Sequence, residues 1–278
     1  MHKRLKKFFR AILAIATAFT LSVTAFAATS NGRSKSTTIG SRSYTGYNTI
    51  TVLADDAKAG TTLNCDVFCS AGELAIYPML QDEYGLVQTV SWIYNTDTVR
   101  SFYASTPTVT VGNGTYYSGG GVMGWNTGSN THTAFSLYVS PGLTISNKSN
   151  RYVSSAYRIN AKGQTFGRLN DLFNLDECPD LIAANGTNGV KGYVYASDLF
   201  EDLPSSPEEA AALMTNRDYI LGRCINLYAS DGVSIIGCFN ITGLAGVTIY
   251  EDNVSITYDK DGTVTKAYCD KPIQTSIW

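Results

Sequence analysis

The 278 residues carry 21 Lys and Arg against 23 Asp and Glu, with 44% hydrophobic side chains and two histidines. No basic cluster follows Arg10, which excludes a nucleic-acid partner, because neutralising phosphates needs grouped Lys and Arg. With His2 set aside in the N-terminal segment, any Ser–His–Asp or Cys–His centre would rest on His132 alone, and two-histidine metal sites are excluded.

The N-terminus sets the expected compartment. Lys3, Arg4, Lys6, Lys7 and Arg10 precede the apolar run AILAIATAFTLSVTAFA, which closes on Ala25-Phe26-Ala27. This is the pattern of a signal peptide cleaved after Ala27, and the run is short for a membrane span of about 20 residues. Cleavage would leave 251 residues with 16 basic and 23 acidic side chains, a net charge of −7. The sequence thus predicts a secreted, extracellular protein with no membrane span after cleavage. All six cysteines (65, 69, 178, 224, 238 and 269) follow the cut. An even count in an exported chain points to disulfides, with 15 connectivities open to six.

Residues 28–43, ATSNGRSKSTTIGSRS, lack hydrophobic periodicity and read as a flexible lead. From 44 to 140 the signal is β: TITVL, TVSWIY, TVTV and AFSLYV alternate apolar and polar residues between Gly/Asn/Ser turns. That pattern predicts an antiparallel β-sandwich-like domain or small barrel. PGLTISNKSNR, 141–151, reads as a linker, and 152–278 as a smaller α+β domain with hairpins and one short helix. The helix is expected over SSPEEAAALM, where Ser206 can cap, Pro207 suits the first helical position, and Glu208 and Glu209 face the positive end.

CINLYASDGVSIIGC spans Cys224 to Cys238 around a Ser-Asp-Gly turn signal. A three-residue loop at 230–232 would set Cys224 opposite Cys238, with Ile225, Leu227, Val233, Ile235 and Phe239 together on the other face. The spacing therefore predicts a disulfide rather than a C-x-x-C redox pair or half a zinc site. If each region keeps its own cysteines, Cys178 pairs with Cys269 and Cys65 with Cys69. An extended CDVFC would hold its ends about 13 Å apart, beyond disulfide reach, so the segment must bend or its cysteines pair elsewhere.

Few residues suit catalysis. His132 shares the side of Ala134, Ser136 and Tyr138 and reads as an exposed strand-end histidine. DLFNLDECPD gathers Asp171, Asp176, Glu177 and Asp180, and a glycosidase needs only two well-spaced carboxylates, although such loops are commonly solvated surface. DKDG at 259–262 has two acidic positions of a calcium loop but no distal Glu, and reads as a turn. Gly119-Gly120-Gly121 lacks the Lys-Ser/Thr of a phosphate loop. No cofactor, metal site or catalytic residue is assigned. In TYYSGGGVMGWNTG, Tyr116, Tyr117, Trp125 and Asn126 flank that triple glycine and are the candidate ligand-binding residues, because aromatic faces beside amides suit a glycan or peptide.

Three pieces of the second region, INAKGQTFG (159–167), PDLIAANGTNGVKGYVYASDL (179–199) and NLYASDGVSIIGCF (226–239), together resemble a module of exported or membrane-tethered proteins of Gram-positive bacteria. GYVYASDL by itself is also similar to a strand of bacterial SH3-like modules. The resemblance covers about 157–240 and implies no catalytic residue. This chain departs from it at Cys178, Cys224 and Cys238, which implies added stapling. The function expected is non-enzymatic binding of a cell-wall glycan or surface protein in the envelope or outside the cell. The alternatives are a carboxylate-dependent cell-wall hydrolase and a secreted, bacteriocin-like toxin.

Overall fold

In the computed structural model the residues described are 27–145, 156–169, 172–173, 177–200, 203–259, 261 and 263–268. The expected signal peptide up to residue 26, positions 146–151 of the expected linker, and Cys269 lie outside them. In chain order the strands of the first region are β1 (Ala28–Asn31), β2 (Lys35–Ile39), β3 (Arg42–Leu53), β4 (Asp56–Cys69), β5 (Leu74–Gln81) and β6 (Leu86–Val90). They continue as β7 (Ile93–Tyr94), β8 (Val99–Ser105), β9 (Val109–Thr110), β10 (Gly114–Asn126), β11 (Thr131–Tyr138) and β12 (Leu143–Ile145). The second region supplies β13 (Arg158–Ile159), β14 (Thr165–Gly167), β15 (Leu172–Phe173), β16 (Leu181–Asn185) and β17 (Lys191–Tyr195). Three short helices follow, α1 (Ala196–Leu199), α2 (Pro207–Leu213) and α3 (Arg217–Leu221). The chain then runs through β18 (Gly222–Tyr228), β19 (Ile235–Thr242), β20 (Thr248–Glu251), β21 (Val254–Tyr258) and β22 (Val264–Tyr268).

The protein is mainly β, as its alternating pattern predicts. One sheet has the order β1-β3-β4-β8-β20-β21-β22, with β2 also on β3 and β9 on β4. The other runs β13-β14-β16-β17-β18-β19-β6-β5-β10-β11-β15, with β12 on β10 and β7 on β5. The alternation in β3 is regular: Tyr44, Asn48, Ile50 and Val52 are buried while Thr45, Tyr47, Thr49 and Thr51 are partly exposed. Tyr44, Leu63, Tyr77, Met79, Phe102 and Val122 meet in the main core between the sheets. Asn48 is fully buried and ties the layers together: its amide donates to the Tyr138 carbonyl at 3.1 Å, and its Oδ1 accepts from Thr61 Oγ1 at 2.8 Å. A buried amide satisfied in this way avoids the penalty of an unmade hydrogen bond.

Several expectations are corrected. The lead 28–43 is not loose: β1 pairs with β3 from Ala28↔Val52 to Asn31↔Thr49, and β2 pairs with β3 from Lys35↔Gly46 to Ile39↔Arg42. Edge strands of Ser and Thr satisfy their backbones by pairing without an apolar face, so periodicity cannot reveal them. The start of the expected linker forms β12 on β10. TVSWIY is broken into β6 and β7, with Val90, Trp92, Ile93 and Tyr94 all buried.

The two regions also do not separate into domains. β20 of the second region pairs with β8 of the first, and a single core cluster holds residues of both. β6 goes further. It pairs with β5 on one side, and it meets β16 at Ala184↔Leu86 and β19 at Ile241↔Thr89 and Thr242↔Val90. β16-β17-β18-β19 therefore close on β6 into a five-stranded ring that buries Ile182, Ala184, Val194, Leu227, Phe239 and Ile241.

The helices sit between β17 and β18. Ser206 Oγ accepts from Glu209 N at 3.2 Å and Pro207 opens α2, as the capping pattern predicts, whereas α1 and α3 add to the one helix expected.

The triple glycine is not a turn. It lies within β10, where a methyl group at Gly120 would stand 2.5 Å from Thr61 Oγ1 and 2.9 Å from the Tyr77 carbonyl oxygen. Glycine is required there because the layers approach too closely for a side chain. Gly120→Ala is expected to cost about 1–3 kcal/mol through overpacking, read as a lower urea midpoint.

Glu251 supplies a pH dependence. It is 1% exposed and accepts from Thr96 N at 2.5 Å and Thr96 Oγ1 at 3.2 Å, with Tyr258, Asp97 and Lys266 as its other titratable neighbours. Burial pushes its carboxyl up from 4.5 to about 7, against the opposing hydrogen bonds from Thr96. The native state therefore holds this proton more tightly than the unfolded chain, and the stability it confers is full below pH 4.5 and lost as pH rises to 7. Unfolding followed from pH 5 to 8 is expected to show a Glu251-linked decline of up to roughly 3 kcal/mol, flattened in Glu251→Gln.

Candidate ligand-binding cleft

The aromatic residues singled out from sequence are placed in the interior. Tyr116, Tyr117 and Trp125 are buried in β10. The Tyr116 hydroxyl donates to the Gly112 carbonyl at 2.8 Å, and Arg168 stands 5.1 Å over the Tyr117 ring. Trp125 packs edge-on to His132 with ring centroids 4.9 Å apart. Asn126 Oδ1 accepts from Gly128 N at 3.0 Å and shapes the β10–β11 turn. These rings present no faces to solvent, so the expected aromatic ligand surface is not formed there. The reason is the two-sided burial of β10, which the Gly-rich composition disguised as a loop.

His132 is likewise not an exposed strand-end residue. It is half-buried, its Nε2–H donates to the Gly72 carbonyl at 2.8 Å, and Tyr94 lies 5.6 Å away on its other flank. Of the acidic loop, Asp171 and Asp176 lie outside the described residues. Asp180 Oδ2 accepts from Thr165 N at 2.7 Å and Thr165 Oγ1 at 2.8 Å, which holds its carboxyl below the usual range and gives it a structural role. In the 259–262 stretch, Asp259 N donates to the Thr263 carbonyl and Asp261 Oδ1 accepts from Thr263 N, closing the turn between β21 and β22. Among the described residues no group of three or more His, Cys, Asp or Glu is placed to hold a metal ion.

The cysteine hairpin has a different register from the one expected. Cys224 faces Asn240 and Asn226 faces Cys238, with a bulge at Leu227/Tyr228. The turn is longer than three residues: Ala229 N donates to the Ser234 carbonyl, and Asp231 Oδ1 caps Val233 N and Ser234 N at 2.9 Å each. The two cysteines are thus diagonal neighbours on one face, both as free thiols, with Cys238 Sγ 3.5 Å from Thr187 Oγ1. The bulge also undoes the expected apolar face. Leu227 and Phe239 are buried and Ile225 is partly so, whereas Val233 and Ile235 are exposed.

Cys65 and Cys69 come together because CDVFC loops out of β4. Pairing with β8 jumps from Asn64↔Ser101 to Cys69↔Val99, leaving Asp66, Val67 and Phe68 exposed. The Cys65 thiol donates to Asp66 Oδ1 at 3.7 Å and the Cys69 thiol to the Val67 carbonyl at 3.9 Å; the nearness of Cys69 holds Cys65 below the usual thiol range, while Cys65 and burial push Cys69 above it. Beside them the Arg42–Glu73 ion pair closes at 2.8 Å, with Arg42 Nη1 3.7 Å from Cys69 Sγ. Cys178 is half-buried against the main core, and its expected partner Cys269 lies outside the described residues.

The concave feature with ligand-like chemistry lies elsewhere, over α3 and the start of β18. A cavity of about 480 Å³ is lined by Ser91, Leu213, Asn216, Asp218, Tyr219, Leu221, Gly222 and Arg223. Local structure fixes most of these. Asn216 Oδ1 caps α3 by accepting from Asp218 N at 2.9 Å and Tyr219 N at 3.3 Å. The Tyr219 hydroxyl donates to the Trp92 carbonyl at 2.5 Å, and Arg223 Nη2 donates to the Asp198 carbonyl at 2.5 Å. Ser91 N donates to the Thr242 carbonyl at 3.1 Å, which anchors the floor to the ring.

Leu213 and Leu221 supply apolar wall, and Leu221 is half-exposed. The result is an apolar and aromatic recess with a cation, a carboxylate and an amide at its rim, as small-ligand clefts combine them. Sequence reasoning missed this cleft; the one signal that could have marked it is Asn216 as an N-cap ahead of RDYIL. The meeting of Ser91 with residues 213–223 had no sequence signal.

No family model matches this chain, and no curated protein or solved structure matches it.

The adjacency of Cys65 and Cys69 at the β4 irregularity, and of Cys224 and Cys238 across the hairpin, predicts that peptide mapping of protein folded in air will recover Cys65–Cys69 and Cys224–Cys238 disulfides in place of the free thiols. Replacing Cys224 by Ser is expected to cost about 3 kcal/mol, and Cys65 by Ser about 2 kcal/mol, because the second pair closes the shorter loop. Mapping that recovers other pairings would overturn this assignment.

Proposed function

We propose that the protein is an exported bacterial binding protein of the cell envelope, without catalytic activity, that holds a cell-wall glycan in the cleft over α3. The observation that carries this reading is the lining of the 480 Å³ cavity. Tyr219, Leu213 and Leu221 offer surface on which the apolar face of a sugar can pack. Ser91, Asn216, Asp218 and Arg223 offer donors and acceptors for its hydroxyls. The signal-peptide pattern of residues 1–27 and the two neighbouring cysteine pairs agree with an oxidising, extracytoplasmic setting. The resemblance of 157–240 to modules of Gram-positive envelope proteins supports the same compartment.

The non-catalytic reading is supported by the placement of three titratable side chains, which leaves Asp218 as the carboxylate of the cleft among the described residues. The half-buried His132 is engaged with a backbone carbonyl, Asp180 is committed to Thr165, and Glu251 is enclosed beside Thr96. None of the three lines the cleft.

Co-sedimentation of residues 28–278 with purified cell-wall sacculi tests the reading. Saturable pelleting is expected, weakened about tenfold in Arg223→Ala through loss of charge-assisted hydrogen bonds, with no soluble fragments released. Release of fragments would replace binding by hydrolysis. Protein that remains in the supernatant would exclude the wall as ligand, leaving a surface protein or a toxin target to be sought.

A further inference from the structure

The sheet that begins with β1 has a second face, turned away from the core. Side chains alternate along a strand, so the neighbours of the buried Asn48, Leu63, Phe102 and Ile249 lie on this side. The register puts Tyr47 opposite Thr62, Thr62 opposite Tyr103, and Tyr103 opposite Tyr250, a row running across β3, β4, β8 and β20. Thr62 is 1% exposed, whereas all three tyrosines of the row are partly exposed.

Tyr103 lies down on the sheet. A methyl group at Gly60 would come within 2.6 Å of the Tyr103 hydroxyl oxygen and 2.7 Å of its Cε2, so the ring reclines over β4 where glycine leaves room. Tyr250 follows it at a ring-centroid distance of 5.8 Å. Tyrosines offer rigid, amphipathic contact area at little cost in side-chain entropy.

Hydroxyls and amides surround the row. Thr45 and Asn64 flank it on one side, Thr49 and Thr248 on the other, all partly exposed. Among the described residues the charged side chains at strand positions of this face are Asp56 and Lys58, which stand together near the β3–β4 turn and cancel. An anionic polymer finds no row of cations here. An uncharged ligand with apolar ring faces and peripheral hydroxyls matches the surface in charge and in chemistry. From Tyr47 to Tyr250 the row covers three strand spacings, about 14 Å, or roughly three sugars of an extended chain. The Tyr103 and Tyr250 rings are inclined at 46°, in keeping with the twist of a sheet. Inclined rings follow a single twisting chain rather than the plane of a crystalline fibre.

We propose that this face is a second glycan-binding site, where Tyr47, Tyr103 and Tyr250 form a platform for one chain of a neutral β-1,4-linked polysaccharide. A β-1,4 linkage keeps the sugars extended, as a straight row of rings requires. The platform shares no residue with the cleft over α3 and does not rest on the reading of that cleft.

The test is a titration of the ¹⁵N-labelled protein with two neutral β-1,4-linked tetrasaccharides, one of glucose and one of N-acetylglucosamine, the tighter binder identifying the sugar. Saturable shifts are expected at the backbone amides of Tyr47, Thr62, Tyr103 and Tyr250. Tyr250→Ala is expected to lose about fivefold in affinity, and Gly60→Ala a similar amount by lifting Tyr103. The amide shifts read the contact in the unaltered protein, whether or not a variant folds. Shifts confined to residues 216–223 would overturn the platform and leave the cleft reading standing. No shift with either sugar, or undiminished binding by a folded Tyr250→Ala, would also overturn it, and pelleting with sacculi then judges the cleft separately. Tighter capture by microcrystalline cellulose than by the soluble chains would overturn the single-chain geometry.

Discussion

The structure depends on one strand being used twice. β6 is five residues long, yet it is the neighbour of β5 in the sandwich and the closing member of the ring formed with β16 and β19. A strand edge left open exposes unpaired N–H and C=O groups and invites association, and closing the ring removes that edge. The close contact leaves no room for a side chain at its entrance: a methyl group at Gly85 would fall 2.2 Å from the Ala183 carbonyl oxygen. Asn185 reinforces the join, donating to the Leu86 carbonyl at 3.0 Å.

The cleft is a product of the same join. Ser91 and Trp92 follow β6 directly, and the helices between β17 and β18 return over them. Met214 Sδ accepts from Tyr94 N at 3.3 Å, and the Tyr219 hydroxyl reaches the Trp92 carbonyl, so the roof is bonded to the floor. A site assembled from a strand end and a helical crossover is held by packed elements on both sides, which favours a preformed cavity over one shaped on binding.

Much of the fold was legible because it obeys local rules. Strand alternation in β3, the Ser206 cap of α2 and the bending required of CDVFC all follow from spacing and side-chain type. The errors have a common origin in long-range pairing. A register is set by the bulge at Leu227/Tyr228 and the Asp231-capped turn, neither of which a symmetric Cys–Cys count can reveal. Ser/Thr-rich β1 and β2 carry no apolar face, so their order comes wholly from β3. The linker composition at 141–151 suggested two domains, but composition is silent about a strand shared across 90 or more residues. The candidate site failed for the reverse reason. Aromatic residues around three glycines look like a binding loop, whereas those glycines let β10 pass through the tightest part of the core.

The double use of β6 also sets an order of assembly. Its partners in the ring lie 98 residues downstream at Ala184 and 152 residues downstream at Ile241. A chain emerging from its N-terminus can form the hairpins around β3 and β4 early, while the outer edge of β6 waits for residue 242 before the ring can close. Long-range closure of this kind raises contact order and slows folding. Until the last of β19 arrives, the molecule carries an unfinished edge next to an apolar core, and that interval is when it is most exposed to mispairing.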